Sequence, residues 1–112
     1  MMLDKWIEDI NRLKHLIVVE GKKDKAALEN IGIKNTIITL NKPLFQIVEE
    51  VAKDNTDVII LTDLDKEGKK IFEALSQGFH KFGVRMHNKP RDQLFKTSLR
   101  QIEGIDTYIK NQ

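Results

Sequence analysis

Acidic side chains follow two apolar runs of the sequence, where each run stops. Glu20 comes directly after LIVV, and Asp63 and Asp65 come after DVIILT. An acid at the end of a buried strand is costly unless something compensates its charge. Within TDLD, the side chains of an extended backbone alternate, so Asp63 and Asp65 share one side while Leu64 faces the core. These spacings predict carboxylates that need a partner.

A divalent cation is a suitable partner for such carboxylates. Acids that face each other repel unless a cation lies among them. Hard oxygen ligands favour Mg²⁺, which keeps several waters and is commonly shared with a substrate phosphate, and Mn²⁺ accepts the same ligands. The joint position of Glu20, Asp63 and Asp65 therefore predicts a Mg²⁺ site that handles phosphate.

Each acid also has a plainer interpretation when it is considered alone. Asp65 could cap the helix that begins at Lys66. Asp24 and Asp57 are typical of cap or surface acids. The functional interpretation depends on the acids meeting in space, and this depends on the fold.

Glycines and lysines flank the same acids and could contact phosphate. Gly21 follows Glu20 directly, and Gly68 lies in the first turn of a predicted helix, where a missing side chain allows close approach of a phosphate or of another backbone. The nearby lysines could neutralise phosphate oxygens or could simply be solvated. They are Lys22, Lys23, Lys66, Lys69 and Lys70.

The periodicity of apolar residues predicts alternating helices and strands along the chain. Helices are expected at 3–14, 24–32, 43–54, 66–83 and after Pro90, strands at 16–19, 35–40, 57–62 and 84–87, and a short closing segment at 105–109. Gly32 is expected to end the second helix in a left-handed conformation. Such alternation is typical of a three-layer α/β/α fold with about four parallel strands. Strand order 2-1-3-4 would bring the acids to the carboxyl edge of the sheet, where ligands bind.

Composition excludes several kinds of site. The chain has 112 residues and no cysteine, so disulfides, thiolate zinc sites and a cysteine nucleophile are excluded. His15, His80 and His87 are scattered along the sequence, and transition-metal chemistry is therefore not expected. Acids interrupt the apolar residues at the start and no apolar run approaches membrane-spanning length, which predicts a cytoplasmic protein without membrane contact. The chain is expected to form one domain, with helical covers at both ends.

Basic residues are concentrated between residues 81 and 100 and indicate an anionic partner. Arg85, Lys89 and Arg91 are the central members of a group of six basic residues with only Asp92 opposing them. Such a group could bind the phosphate backbone of nucleic acid. The same residues could also be solvated on different faces. Few aromatic residues are interleaved with them, so a platform that stacks single-stranded bases is not expected.

Two segments together resemble the Toprim domain. VVEGKKDKAAL, followed after a spacer by IILTDLDKEGKKI, is similar to the domain shared by type IA topoisomerases, bacterial primases, OLD-type nucleases and the bacterial maturase that trims 5S ribosomal RNA. The resemblance covers residues 15–88 and is strongest to small stand-alone Toprim proteins of archaea and bacteria. It implies a Rossmann-like fold with residues 1–112 as a single Toprim domain.

The resemblance also implies roles for individual residues. Glu20 corresponds to the general acid or base of phosphodiester breakage and joining, Asp63 and Asp65 to Mg²⁺ ligands, and Asp24 to a contributor to a second metal. Asn41 lies near the place where primases carry a further acid. Tyr108, the only tyrosine, lies at the tail and is interpreted as a packing residue, whereas a topoisomerase carries its nucleophilic tyrosine on a separate domain.

Two functions remain open at this point. One is a Mg²⁺-dependent nuclease-like enzyme acting on RNA or DNA, in RNA processing or DNA repair. The other is a non-catalytic module that binds Mg²⁺ and nucleic acid within a larger complex. A receiver domain would carry two acids after its first strand, and a phosphatase of the haloacid dehalogenase type would carry Asp-x-Asp there, so both are disfavoured.

Overall fold

The computed structural model describes residues 3–111, which build a sheet with helices on both faces. The strands are β1 (Leu16–Val19), β2 (Ile37–Thr39), β3 (Asp57–Ile60) and β4 (Arg85–Met86). The helices are α1 (Leu3–Leu13), α2 (Lys22–Asn30), α3 (Leu44–Asp54), α4 (Lys66–Lys81), α5 (Lys89–Phe95) and α6 (Ile105–Lys110), with a 3₁₀ turn at Ile102–Gly104.

The four strands are parallel and lie in the order β2-β1-β3-β4, which confirms the predicted topology. Ile17 of β1 pairs with Ile37 on one side and with Ile59 on the other. The short, β-branched apolar runs suit strands that are covered on both faces. Because β1 and β3 are neighbours, the residues that follow them reach the same edge of the sheet.

Side chains of the central strands alternate between two cores. Ile17 and Ile59 face the core that contains α1, α2, α5 and the C-terminal helix, while Val18 and Ile60 face the core formed with α3 and α4. All four side chains are fully buried. The three-layer α/β/α architecture that the sequence predicts is thus confirmed.

The N-terminal helix covers the sheet, as its apolar stripe predicts. Trp6 is buried against the first core, and its Nε1 donates to the Pro90 carbonyl at 2.9 Å. This bond fixes α1 to the start of α5. None of the helices among residues 3–111 is long and apolar enough to cross a membrane.

Element boundaries differ from the predicted ones at several places. The strand expected at 35–40 covers only Ile37–Thr39, because the Asn35 side chain donates to the carbonyls of Ile10 and His15 and so belongs to a connecting loop. The second helix begins at Lys22, two residues early, since Asp24 caps it. Gly32 ends this helix with φ 104°, as expected.

Candidate functional site

The carboxyl edge of the sheet brings the two acidic motifs into direct contact. Glu20 follows β1 and Asp63 follows the end of β3, and the Glu20 Oε2 accepts a hydrogen bond from the Asp63 backbone N at 2.7 Å. The Leu61 N donates to the Val18 carbonyl at 2.9 Å, so the ladder between the strands continues almost to the acids. Parallel pairing is therefore what joins two motifs that lie far apart in sequence.

Asp24 is a buried acid that shapes the loop carrying Glu20. Its side chain is 6% exposed, and its Oδ2 accepts from the Gly21 backbone N at 2.9 Å. Burial raises the pKa of Asp24, and the charges of Asp63 and Glu103 raise it further, against the lowering effect of the bond from Gly21. Asp24 thus caps α2 and also belongs to the electrostatic environment of the predicted site.

Asp63 connects the site to the C-terminal segment of the chain. Its Oδ1 accepts from the Ile102 backbone N at 2.9 Å, and the next residue, Leu64, donates its N to the Arg100 carbonyl at 2.7 Å. Burial raises the pKa of Asp63, as do the charges of Asp65 and Glu103, while the bond from Ile102 lowers it. The side chain is half-buried and faces other acids.

Asp65 and Gly68 set the start of α4. The Asp65 Oδ1 accepts from the Gly68 N at 2.8 Å, which is the capping role that the sequence also allows. One carboxylate oxygen remains outside this bond. A Cβ on Gly68 would lie 2.0 Å from the Asp63 carbonyl oxygen, so this glycine lets the helix start pack against the loop backbone. The close approach of the Asp63 backbone, rather than the approach of a phosphate, explains why residue 68 is a glycine.

Glu20 lies in an environment that disfavours its ionised form. Burial raises its pKa, and the charges of Asp63, Asp24 and Asp65 raise it further, opposed by the hydrogen bond from the Asp63 backbone. Desolvation and like charges both disfavour the ionised form. A cation placed among these acids would offset their mutual repulsion, which fits the oxygen-only donor set that Mg²⁺ prefers.

Glu103 is a member of this acidic cluster that the sequence patterns do not reveal. It lies in the 3₁₀ turn, and its charge raises the pKa of both Asp24 and Asp63. Glu103 does not follow an apolar run that predicts a strand, so no local sequence pattern indicates that it belongs to the cluster. Only the docking of the C-terminal segment on the loop after β3 brings Glu103 to the site.

Arg91 lies inside the protein rather than on a surface that binds nucleic acid. It is 3% exposed, and its guanidinium donates to the carbonyls of Thr62 at 3.2 Å and Asp63 at 2.8 Å. It also lies over the rings of Phe72 and Phe95, 4.5 and 4.8 Å from their centroids. Through these contacts the guanidinium supports the loop that carries the acids. The prediction that Arg91 binds phosphate at the surface is therefore corrected to a structural role.

The other predicted basic contacts fall into two places. Lys22, Lys23 and Lys66 are exposed in the first turns of α2 and α4, beside the acids. Arg85 pairs with Asp57 at the start of β3, roughly 20 Å of extended chain away from Asp63. The exposed Lys89 begins α5 and lines a groove against α1. The first three lysines therefore lie in the helical turns that follow the acids in sequence, whereas Arg85 and Lys89 lie elsewhere.

A cavity of about 890 Å³ opens beside Asp65 under the C-terminal segment. Arg100 and Tyr108 are among its lining residues. Tyr108 also packs against the first core, in agreement with its interpretation as a packing residue. The space adjoins Asp65 and is bordered by Arg100, whose Nη1 donates to the carbonyls of Thr97 and Leu99.

Comparison with known proteins gives a consistent result. The chain matches the Toprim domain over residues 14–88. It is 31% identical to the UPF0292 protein MJ1624 of Methanocaldococcus jannaschii, covering 97% of this chain and 93% of that protein. It is 31% identical to a UPF0292 protein of Thermococcus sibiricus, covering 93% of this chain and 82% of that protein. A putative protein from Aquifex aeolicus has a solved structure with a TM-score of 0.83 and 30% identity, covering 90% of this chain and 95% of that one.

These findings confirm the resemblance that the two motifs suggest. The matched range includes both acidic motifs and all four strands. It indicates a metal-binding function connected with nucleic acids. The chain covers 93% and 82% of the length of the two UPF0292 relatives, which agrees with the resemblance to small Toprim proteins.

Proposed function

The chain belongs to the Toprim-domain family, and from that premise we propose that it is a Mg²⁺-dependent protein acting on nucleic-acid phosphodiesters. Its activity is nuclease-like and serves RNA processing or DNA repair. The observation that carries this function is the contact between the two motifs, in which Glu20 accepts from the backbone of Asp63 at 2.7 Å. A general acid or base and two metal ligands thereby share one edge.

The donor set supports Mg²⁺, with Mn²⁺ as a substitute. Asp63 and Asp65 each keep one carboxylate oxygen outside the hydrogen bonds that hold them to Ile102 and Gly68. Mg²⁺ typically takes one or two carboxylates and keeps its waters for a substrate phosphate. Bound there, the ion would neutralise charge that develops on the phosphate oxygens. Asp24 accepts a hydrogen bond from the Gly21 amide and adds its negative charge to the surroundings of Glu20.

Glu20 is assigned the proton transfer at the scissile phosphodiester. A general acid or base works best when its pKa lies near the working pH. Burial, the largest cause, shifts the pKa of Glu20 upward, which is the direction that this role requires. The hydrogen bond from the Asp63 backbone N fixes the Glu20 carboxylate beside the proposed metal ligands. Glu20 therefore combines a fixed position with a favourable shift.

Phosphate groups of the nucleic acid are assigned to the helix starts beside the acids. Lys22 and Lys23 open α2, and Lys66 opens α4. The free backbone N–H groups and the dipole of a helix N-terminus favour anions, and lysine adds a mobile positive charge. The three lysines also offset the repulsion that the acids would exert on a polyanion.

A non-catalytic module is the second candidate function. The Asp63 carboxylate already accepts from Ile102, and the segment after α5 covers one side of the acids. Such a covered site could hold Mg²⁺ and a nucleic-acid end within a larger processing complex without turnover. This candidate shares its metal ligands with the enzyme and differs in predicting binding alone.

The two candidates are separated by a cleavage and binding assay. Purified protein is incubated with structured RNAs and with duplex DNA in Mg²⁺ or Mn²⁺, beside Glu20→Gln and the matched control Glu49→Gln, which changes an exposed residue of α3. We expect Glu20→Gln to lose about 100-fold or more in rate, the usual contribution of a general acid or base, and Glu49→Gln to retain full activity. Cleavage that persists in Glu20→Gln removes the assigned role. Binding without turnover favours the module.

A further inference from the structure

A second group of potential metal ligands lies at the opposite edge of the sheet. His15, Asp57 and His87 each offer one ligand atom, and these three atoms lie within 4.8 Å of one another. The His87 Nε2 is 2.9 Å from the Asp57 Oδ1, and the imidazole rings of His15 and His87 are tilted by 31° with centroids 4.3 Å apart. We propose that these three residues form a binding site for a first-row divalent transition metal such as Zn²⁺.

The three residues come from separate elements that the parallel sheet brings together. His15 immediately precedes β1, Asp57 is the first residue of β3, and His87 immediately follows the two-residue strand β4. The His87 N also donates to the Val58 carbonyl at 2.9 Å, which fixes the backbone that carries this ring. A bound ion would therefore join the short edge strand to both central strands.

The donor set distinguishes this group from the acids at the carboxyl edge. Imidazole nitrogen suits Zn²⁺ and other transition metals, whereas Mg²⁺ prefers oxygen. Two histidines with one carboxylate are also a known donor set of catalytic zinc sites, which keep a further position open for water or substrate. The chemistry of the ligands thus predicts a metal different from the one at the acidic cluster.

The present spacing requires only small movements to hold such an ion. Zn²⁺ binds nitrogen at about 2.0–2.1 Å in a tetrahedral arrangement, which places neighbouring ligand atoms about 3.3 Å apart. The 2.9 Å between His87 and Asp57 has to widen slightly. Each remaining separation, at most 4.8 Å, has to shorten by about 1.5 Å at most to reach that value. His15 is only half-buried, and its ring can turn to achieve this.

The neighbouring charges are compatible with a cation. Asp57 is held ionised by the hydrogen bond from His87 and the bond from Thr56, with the pKa lowered to about 2. Arg85 is the opposing group, with its Nε 3.9 Å from Asp57. Its side chain is 78% exposed and is free to turn into solvent.

One further observation concerns an unsatisfied polar atom near the cluster. Asn88, the residue after His87, has a buried Oδ1 without a hydrogen-bond partner among the described residues. Both His87 and Asn88 line a groove of about 460 Å³ between α1 and α5.

The plainer interpretation is a hydrogen-bonded histidine and aspartate, with a second imidazole ring packed at an angle beside the first. This interpretation explains the short distance and the lowered pKa of Asp57. It predicts no affinity for Zn²⁺ beyond that of an exposed histidine. The third histidine provides the comparison, because His80 is exposed on α4 and lies outside the cluster.

The test is a Zn²⁺ titration of metal-free protein by calorimetry, with His15→Gln and His87→Gln beside the matched control His80→Gln. We expect one equivalent of Zn²⁺ to bind, with affinity reduced about tenfold or more in each cluster variant and unchanged in His80→Gln. Circular dichroism verifies that the variants fold. Equal affinities in all three variants would overturn the site, as would the absence of binding by the unmutated chain.

A second measurement uses the unmutated chain and is independent of any variant's folding. Imidazole signals followed by NMR during the same titration should shift and saturate for His15 and His87 while those of His80 stay unchanged. Equal shifts at all three histidines would mean surface binding and contradict the site. Neither experiment involves Glu20 or Asp63, so the outcome is separate from that of the phosphodiesterase assay.

Discussion

The two edges of one four-stranded sheet carry clusters of opposite electrostatic character. At the carboxyl edge, burial and neighbouring acids raise the pKa values of Glu20 and Asp63. At the amino edge, the hydrogen bond from His87 is the main cause that lowers the pKa of Asp57 to about 2. Several acids face one another in the first cluster, whereas in the second a single acid is paired with His87 and Arg85.

The difference shows what parallel topology does to residues at strand ends. Residues that follow parallel strands meet at one edge, and residues that precede them meet at the other. Glu20 and Asp63 follow β1 and β3, while His15 and Asp57 stand at the starts of the same two strands. One topology therefore brings together two groups of side chains, and their types are the reason that we propose Mg²⁺ for one and Zn²⁺ for the other.

The largest expected effect is that of Gly68→Ala at the carboxyl edge. The added Cβ would lie 2.0 Å from the Asp63 carbonyl oxygen, so the start of α4 would have to move away from the loop. We expect the free energy of unfolding, measured in urea, to fall by roughly 3 kcal/mol or more. Gly104→Ala is the matched control, since its Cβ would meet only Leu99 at 3.7 Å. Similar stability of the two variants would contradict the close packing.

Arg91→Lys should have the next largest effect, because it keeps the charge and loses the planar contacts. The guanidinium donates to Thr62 and Asp63 and lies over two aromatic rings. We expect a loss of about 2–3 kcal/mol in the free energy of unfolding. Arg85→Lys, at an exposed position, should change it by about 0.5 kcal/mol or less. Equal losses would show that Arg91 does not support the acidic loop.

Neutralising one acid at each edge should change stability in opposite directions without added metal. Asp63→Asn keeps an acceptor for the Ile102 amide and removes a repelled charge, so thermal unfolding should occur at a higher temperature. Asp57→Asn removes a charge that His87 stabilises, so unfolding should occur at a lower temperature. Shifts of the same sign would break the electrostatic contrast between the edges.

The smallest effect expected is a metal-selective shift of the unfolding temperature. A ligand that binds the folded state raises this temperature according to its affinity and concentration, here by a few degrees. Mg²⁺ should stabilise the unmutated chain and Asp57→Asn but not Asp63→Asn, and Zn²⁺ should show the reverse selectivity. Loss of both responses in either variant would mean that the two edges do not act as separate sites.

The sequence predicts the carboxyl edge better than the amino edge for a physical reason. Apolar runs locate the strands, and Glu20 and Asp63 directly follow them in a familiar spacing. The sheet order then follows from right-handed crossovers and from the need to bring these acids together. His15 and His87 come together only because β4 pairs with β3 in one particular register. A strand of two residues is too short for its sequence pattern to predict that register.

The C-terminal segment is the other part that sequence patterns leave undefined. Ile102 and Glu103 reach the acids through contacts between distant parts of the chain, and periodicity describes only local structure. Arg91 is similar, because its place in a basic stretch indicates the surface. Its burial depends on two aromatic rings and two carbonyls that converge from separate elements.

The central claim is that the acids at the carboxyl edge bind Mg²⁺, and an NMR titration of backbone amides tests it most directly. In the unmutated chain, the Asp63 and Ile102 amides, which bond to Glu20 and Asp63, should shift and saturate as Mg²⁺ is added. In Asp63→Asn this saturation should disappear, while Asp57→Asn should retain it. An unchanged Mg²⁺ isotherm in Asp63→Asn would contradict the assignment of the site.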